Sequence, residues 1–109
     1  MNAWDIFDCA FPWGSHPAVI ISNQARVQRK QQVVVLPCST MRPQSYREAE
    51  GLEILLDEAD GLDWKTLCKC DVPLTVPKSS LNRRRGSVTP PRRTQIARKV
   101  IQGLAFDGI

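Results

Sequence analysis

Apolar residues along this chain come in short runs separated by polar turns until residue 89, where the period changes. Residues 4–11 set Trp4, Ile6, Phe7, Cys9 and Phe11 around Asp5 and Asp8, a partial period of two that predicts a strand. Pro12, Trp13, Gly14 and Ser15 follow as a turn. Residues 18–21 (Ala-Val-Ile-Ile) and 32–36 (Gln-Val-Val-Val-Leu) are continuous and rich in β-branched residues, as in strands buried on both faces. Between them, residues 22–31 are polar and aperiodic and read as a loop carrying Arg26, Arg29 and Lys30. Residues 41–50 read as a second polar loop, and residues 51–56 alternate as a half-buried strand. An acidic turn at residues 57–62 precedes a fifth strand at 66–71 and a short edge strand at 73–76, where proline is tolerated. Thr89-Pro90-Pro91 then has the form of a helix start, a hydroxyl cap followed by proline. Ile96, Ala97, Val100, Ile101 and Leu104 share one helical stripe, which predicts a helix over about residues 90–104 with fraying near Gly103. The expected architecture is mainly β with a C-terminal helix, a small barrel or curled sheet covered by that helix.

Length changes this picture little: 109 residues make one domain with one core. No apolar stretch approaches the ~20 residues a bilayer-spanning helix needs, and the amino terminus has no signal-like block, so a soluble cytoplasmic protein is expected. Cys9, Cys38, Cys68 and Cys70 all sit in strand-like runs and are expected to be reduced core thiols. Cys68-x-Cys70 is too tight for the usual zinc spacing, and a disulfide would need an oxidising compartment. Metal or redox chemistry remains the alternative for these cysteines. Net charge is +4, unevenly spread. Residues 78–99 contain no acid and eight bases, whereas acids collect over residues 48–63. A basic end against an acidic middle suggests an anionic partner on one face. For any single arginine, a solvated surface position is the alternative.

Four polar residues beside apolar runs are candidates for chemistry. On a strand, Lys69 and Asp71 point one way and Cys68 and Cys70 the other. With the cysteines inward, the outward pair suits either an acid–base pair or a surface ion pair. His16, the one histidine, stands between a Gly-Ser turn and a buried strand, and an imidazole changes charge near neutrality. Ser39 ends a strand, where its hydroxyl suits either an anion or a turn. A Ser39–His16–Asp71 hydrolase can be assembled on paper, but Ser39 lacks the glycine-flanked elbow of such enzymes. No phosphate-binding glycine loop, dinucleotide fingerprint or zinc-finger spacing is present.

Taken in order, six segments resemble the MazF/PemK family of toxin endoribonucleases. They are Trp4-Asp5-Ile6, Pro17-Ala18-Val19-Ile20-Ile21-Ser22, Val35-Leu36-Pro37-Cys38-Ser39-Thr40, Glu53-Ile54-Leu55-Leu56, Lys69-Cys70-Asp71 and Arg85-Gly86-Ser87-Val88-Thr89-Pro90. The resemblance implies an SH3-like barrel and a homodimer that cuts single-stranded RNA without metal or other cofactor. It also implies a cognate antitoxin whose acidic, flexible tail fills the RNA groove, and growth inhibition when the toxin is free. Family members place an arginine and a threonine at the scissile phosphate, and here those positions hold His16 and Ser39. A basic residue and an Asp flanking a Cys, used in some members, match Lys69 and Asp71. The first loop, residues 11–15, is shorter than the family's Gly-Glu-Gln segment.

The resemblance thus nominates His16, Ser39, Lys69 and Asp71 as the reacting set. Either His16 or Asp71 would be the base, His16 the acid, and Lys69 and Ser39 would stabilise charge on phosphorus. Arg42, Arg47, Arg83, Arg84 and Arg85 would hold flanking phosphates. Trp13 would stack on an unpaired base or else anchor its loop. The alternative is a catalytically silent barrel that binds nucleic acid or an acidic antitoxin peptide.

Overall fold

The β-branched runs form the centre of one bent antiparallel sheet. The computed structural model describes residues 1–105 and 107. Its strands are β1 (Asp5–Phe11), β2 (Gly14–Ile20), β3 (Gln32–Thr40), β4 (Glu53–Leu56), β5 (Thr66–Lys69), β6 (Leu74–Pro77) and β7 (Leu81–Ser87). They run in the order β4-β5-β3-β2-β1-β7, with β6 also paired to β3. Two α-helices complete the chain, α1 (Gln24–Arg29) and α2 (Pro90–Gly103). The expectation of a mainly β fold with a C-terminal helix is met.

β3 organises the rest. One edge pairs with β2, from Ala18 opposite Pro37 to Ile20 opposite Val35. Its other edge pairs first with β6 over residues 32–35 and then with β5 over residues 38–40. Ala18, Val19, Ile20, Val33, Val35 and Leu36 are fully buried, as a strand pair covered on both faces requires. One core cluster lies around Ile6, Val19, Leu36, Leu56, Cys68 and Ile96, so α2 caps it through Ile96. The four cysteines are free and buried. A hydrogen bond with Cys38, together with burial, raises the Cys68 thiol well above its ordinary range.

Two local expectations need correction, and one strand was not anticipated. Residues 22–31 are not all loop: Asn23 caps α1 by accepting from the Arg26 N–H at 2.9 Å, and Val27 anchors the helix in the core. One buried residue in six gives no period to read. The arginine run is itself an edge strand, β7, paired with β1. Thr89 does not cap α2 through its hydroxyl; instead its backbone N–H donates to Asp60 Oδ1 at 2.9 Å. The apolar stripe of α2 is also only half used, since Ile101 is 72 % exposed.

β4 and β7 do not pair with each other among the described residues, yet the two ends of the sheet are held together. The short 3₁₀ turn Glu58–Asp60 lies directly against β7, backbone on backbone, at Gly61 and Gly86. The Asp60 carboxylate is fully buried. It accepts from the Asp57 N–H at 3.0 Å, from Thr89 and from the Arg92 guanidinium, which also binds Asp57 at 2.8 Å. A buried charge is tolerated only with such partners.

This network makes stability acid-sensitive. Arg92 holds the Asp57 carboxyl below the usual carboxylate range, and Arg47, then Lys69, do the same for Glu53. A depressed carboxylate contributes stability above its unfolded pKa, and that stability is lost as pH falls through the folded value. Urea midpoints should therefore be flat from neutrality to about pH 5 and drop below it. Arg92→Met should cost about 3–5 kcal/mol at neutral pH, because it strands the Asp60 charge. It should also flatten part of the acid slope, and equal midpoints for variant and wild type at pH 7 would refute the network's role.

Candidate functional site

Extending the β2–β3 register by two residues would set His16 opposite Ser39, but the ladder stops at Ala18 and Pro37. Pro17 and Pro37 have no N–H to donate across it. Beyond that point β3 keeps only its other partner, β5. The strands fork, and a cleft of 480 Å³ opens between them, lined by Ser15, His16, Ser39, Thr40, Arg42 and Trp64, with Pro17 at its root. His16 is half-buried, whereas Ser39, Thr40 and Arg42 are exposed. Arg42 belongs to none of the ion pairs formed among the described residues. An imidazole, three hydroxyls (Ser15, Ser39 and Thr40) and a guanidinium outside those ion pairs thus face one solvent-open space. Such a set can bind an oxyanion and move a proton beside it.

Lys69 and Asp71 do not line that cleft. They line another, of 430 Å³, with Arg47, Glu50 and Glu53. The β4–β5 register sets Glu53 opposite Lys69, and the Glu53 carboxylate holds the Lys69 ammonium. The same carboxylate takes a forked pair from Arg47 at 2.7 and 2.8 Å. Those two cations keep Glu53 far below the ordinary carboxylate range, Arg47 contributing most. Lys69 therefore pairs with Glu53, and Asp71 lies against the end of α2 beside Gly103. Within a single chain, the four nominated side chains fall into two separate pairs.

Most of the nominated arginines are also occupied. Arg85 binds Asp8 and Asp63, each at 3.1 Å, and Arg84 Nε lies 3.4 Å from Asp5. Arg83 is exposed and outside the ion pairs of the described residues, but only Arg42 reaches the His16 cleft. The acidic middle thus pairs with Arg85 and Arg92 of the basic end inside the molecule. Trp13 is 59 % exposed at the β1–β2 turn, with one face stacked on Phe11 at 4.7 Å between ring centroids. It is not among the residues that line the cleft.

Sequence reasoning missed Thr40 and Trp64. Thr40 was within a quoted segment, next to Ser39. Trp64 stands in an acidic, polar stretch with no apolar neighbour to share a core with, and that isolation was the available signal. Among the described residues no three His, Cys, Asp or Glu side chains gather as metal ligands, and no helix is long and apolar enough to cross a membrane.

A bent sheet closed by a C-terminal helix, with a polar cleft at a strand fork, defines a small barrel-like β protein. The family model for PemK-like, MazF-like toxins of type II toxin–antitoxin systems matches residues 3–104. The chain belongs to that family, whose members are generally endoribonucleases. Solved structures agree on the fold. An endoribonuclease from a mycobacterial species, in complex with its cognate antitoxin, superposes with a TM-score of 0.80 at 23% identity, covering 95% of this chain and 94% of that one. The Mycobacterium tuberculosis toxin MazF-mt6 gives 0.79 at 19% identity, over 94% and 98%. A MazE–MazF structure from Deinococcus radiodurans gives 0.76 at 14% identity, over 98% and 97%. No curated protein matches the sequence at a significant level.

Proposed function

We propose that this chain is the toxin of a type II pair and cuts single-stranded RNA, without a metal ion, at the fork between β2 and β3. One observation carries the reading: the chain's only histidine shares an open cleft with three hydroxyls and an arginine that has no ion-pair partner among the described residues. The Arg42 guanidinium and the Ser39 and Thr40 hydroxyls would bind the phosphodiester and stabilise the extra charge that develops on it. His16 would take the proton of the 2′-hydroxyl. The 2′-oxygen then bonds to phosphorus, the bond to the 5′-oxygen breaks, and the imidazolium returns the proton to that oxygen. The products are a 2′,3′-cyclic phosphate and a 5′-hydroxyl, with no net proton consumed.

In this reading Lys69 and Asp71 stay outside the reacting centre, because Glu53 holds the ammonium and both residues line the other cleft. Arginine is a permanent charge and histidine is not. Arg42 would supply the fixed charge that the family's arginine provides at the position held here by His16. The proposal includes cytoplasmic action as a homodimer and silencing by an antitoxin whose acidic tail competes with RNA for the Arg42 side of the cleft.

The test is incubation of the purified protein with unstructured RNA in EDTA. Cleavage with cyclic-phosphate ends is the expected result, and it should weaken as salt screens the phosphate contacts. Tight binding without cleavage, across many RNA sequences, would instead make the chain a silent binder. Cleavage only on adding a divalent cation would overturn the metal-free chemistry.

A further inference from the structure

The cleft contains one side chain that phosphate chemistry does not need. Trp64 is 42 % exposed on its wall, the one aromatic hydrocarbon ring among Ser15, His16, Pro17, Ser39, Thr40 and Arg42. An indole left in water at such a place calls for a partner with a flat apolar face. Three bonds hold the segment that carries Trp64. Asp63 is bound by Arg85 from β7, the Trp64 carbonyl accepts from the Thr66 hydroxyl at 2.9 Å, and the Lys65 carbonyl accepts from the Met41 N–H at 2.8 Å. The last bond ties the Trp64 loop to the segment that carries Arg42. Ring and guanidinium are thus set on adjoining, fixed backbone. A cation for the phosphate beside an aromatic surface for the base is how single-strand readers hold a nucleotide.

We propose that Trp64 is the base-binding residue of this site, stacking on an unpaired nucleobase next to the phosphodiester held by Arg42, Ser39 and Thr40. The inference rests on the RNA-cleaving reading and adds what that reading lacks, a residue that distinguishes a nucleotide from a bare phosphate. Stacking tolerates every base, so Trp64 supplies affinity and places the chain, and preference among bases follows from ring size. Trp13, already stacked on Phe11 and outside the cleft, does not serve this purpose.

The test uses short 2′-O-methyl RNA, which cannot be cleaved because its attacking hydroxyl is blocked. Affinity is compared with a series carrying one abasic position, for the wild type, Trp64→Ala and Trp64→Phe. The wild type should bind one abasic oligonucleotide about ten-fold or more weakly than the intact strand, as expected for one lost stack. Trp64→Ala should bind the intact strand equally weakly and no longer notice that abasic position. Trp64→Phe should recover most of the affinity. Circular dichroism matching the wild type shows that the variants are folded. Unchanged affinity in Trp64→Ala overturns the inference and leaves the nuclease reading to its own cleavage assay. Failure of the wild type to bind any RNA overturns both.

Discussion

His16→Ala is expected to slow RNA cleavage by about 10²–10⁴-fold, the usual contribution of a positioned proton-transfer group. Binding should change far less, because the phosphate contacts come from Arg42, Ser39 and Thr40. The same protein should therefore hold RNA it no longer cuts. Expressed in bacteria, the wild type should arrest growth and the variant should not. Lys69→Ala and Asp71→Ala act as controls, since both residues line the other cleft. Each should leave the chemical step nearly intact. The reverse pattern, with activity lost in Lys69→Ala or Asp71→Ala and kept in His16→Ala, would move the reacting centre to the Glu53 side of the molecule. Because His16 is half-buried, thermal melting of the variant separates lost chemistry from lost structure.

The second large effect concerns the closure of the sheet. A Cβ placed on Gly86 would lie 1.9 Å from the Asp60 carbonyl oxygen and 3.0 Å from the Gly61 Cα. Both obstacles are backbone, and neither is the end of a flexible side chain that can swing aside. Relief requires the 57–61 turn to lift off β7, which pulls Asp60 away from Arg92 and the Thr89 N–H. Gly86→Ala should therefore cost about 3 kcal/mol or more, at the severe end for a single methyl group. Gly51→Ala is the comparison: its φ of +55° is strained for alanine, but no atom lies within 4 Å of the new Cβ. It should cost only about 1 kcal/mol. Urea midpoints decide the matter, and a Gly86→Ala protein as stable as the wild type would mean that the turn does not rest on β7 in solution.

How far the sequence could be read depended on where the information lay. β2 and β3 were legible because burial on both faces demands an unbroken β-branched run, and residues 18–21 and 32–36 are such runs. The terminal helix was legible from its change of period. β7 was not: Leu81–Ser87 carries three consecutive arginines, so neither alternation nor an apolar run marks it. Two of them, Arg84 and Arg85, are held in the strand by Asp5, Asp8 and Asp63, which meet them from remote parts of the chain. Pairings of that kind leave no local trace. The candidate site was legible by halves. His16 and Ser39 could be named, and a register argument brings them to the same fork. The separation of Lys69 and Asp71 from that fork depends on β5 pairing with β4 across Glu53, a tertiary fact. Trp64 was hidden because a lone tryptophan between Asp63 and Lys65 has no periodic context.

The β1–β7 pairing also has a temporal side. Asp8 and Arg85 are 77 positions apart, and the same arginine fixes Asp63 at the root of the Trp64 loop. Joining segments so distant in sequence is slow and comes late in folding. A polypeptide still threaded through the ribosome lacks this clasp until its seventh strand has emerged. Products terminated before residue 81 would hold the strands of the cleft yet leave its wall unanchored, so the cleft is complete only once β7 has joined β1.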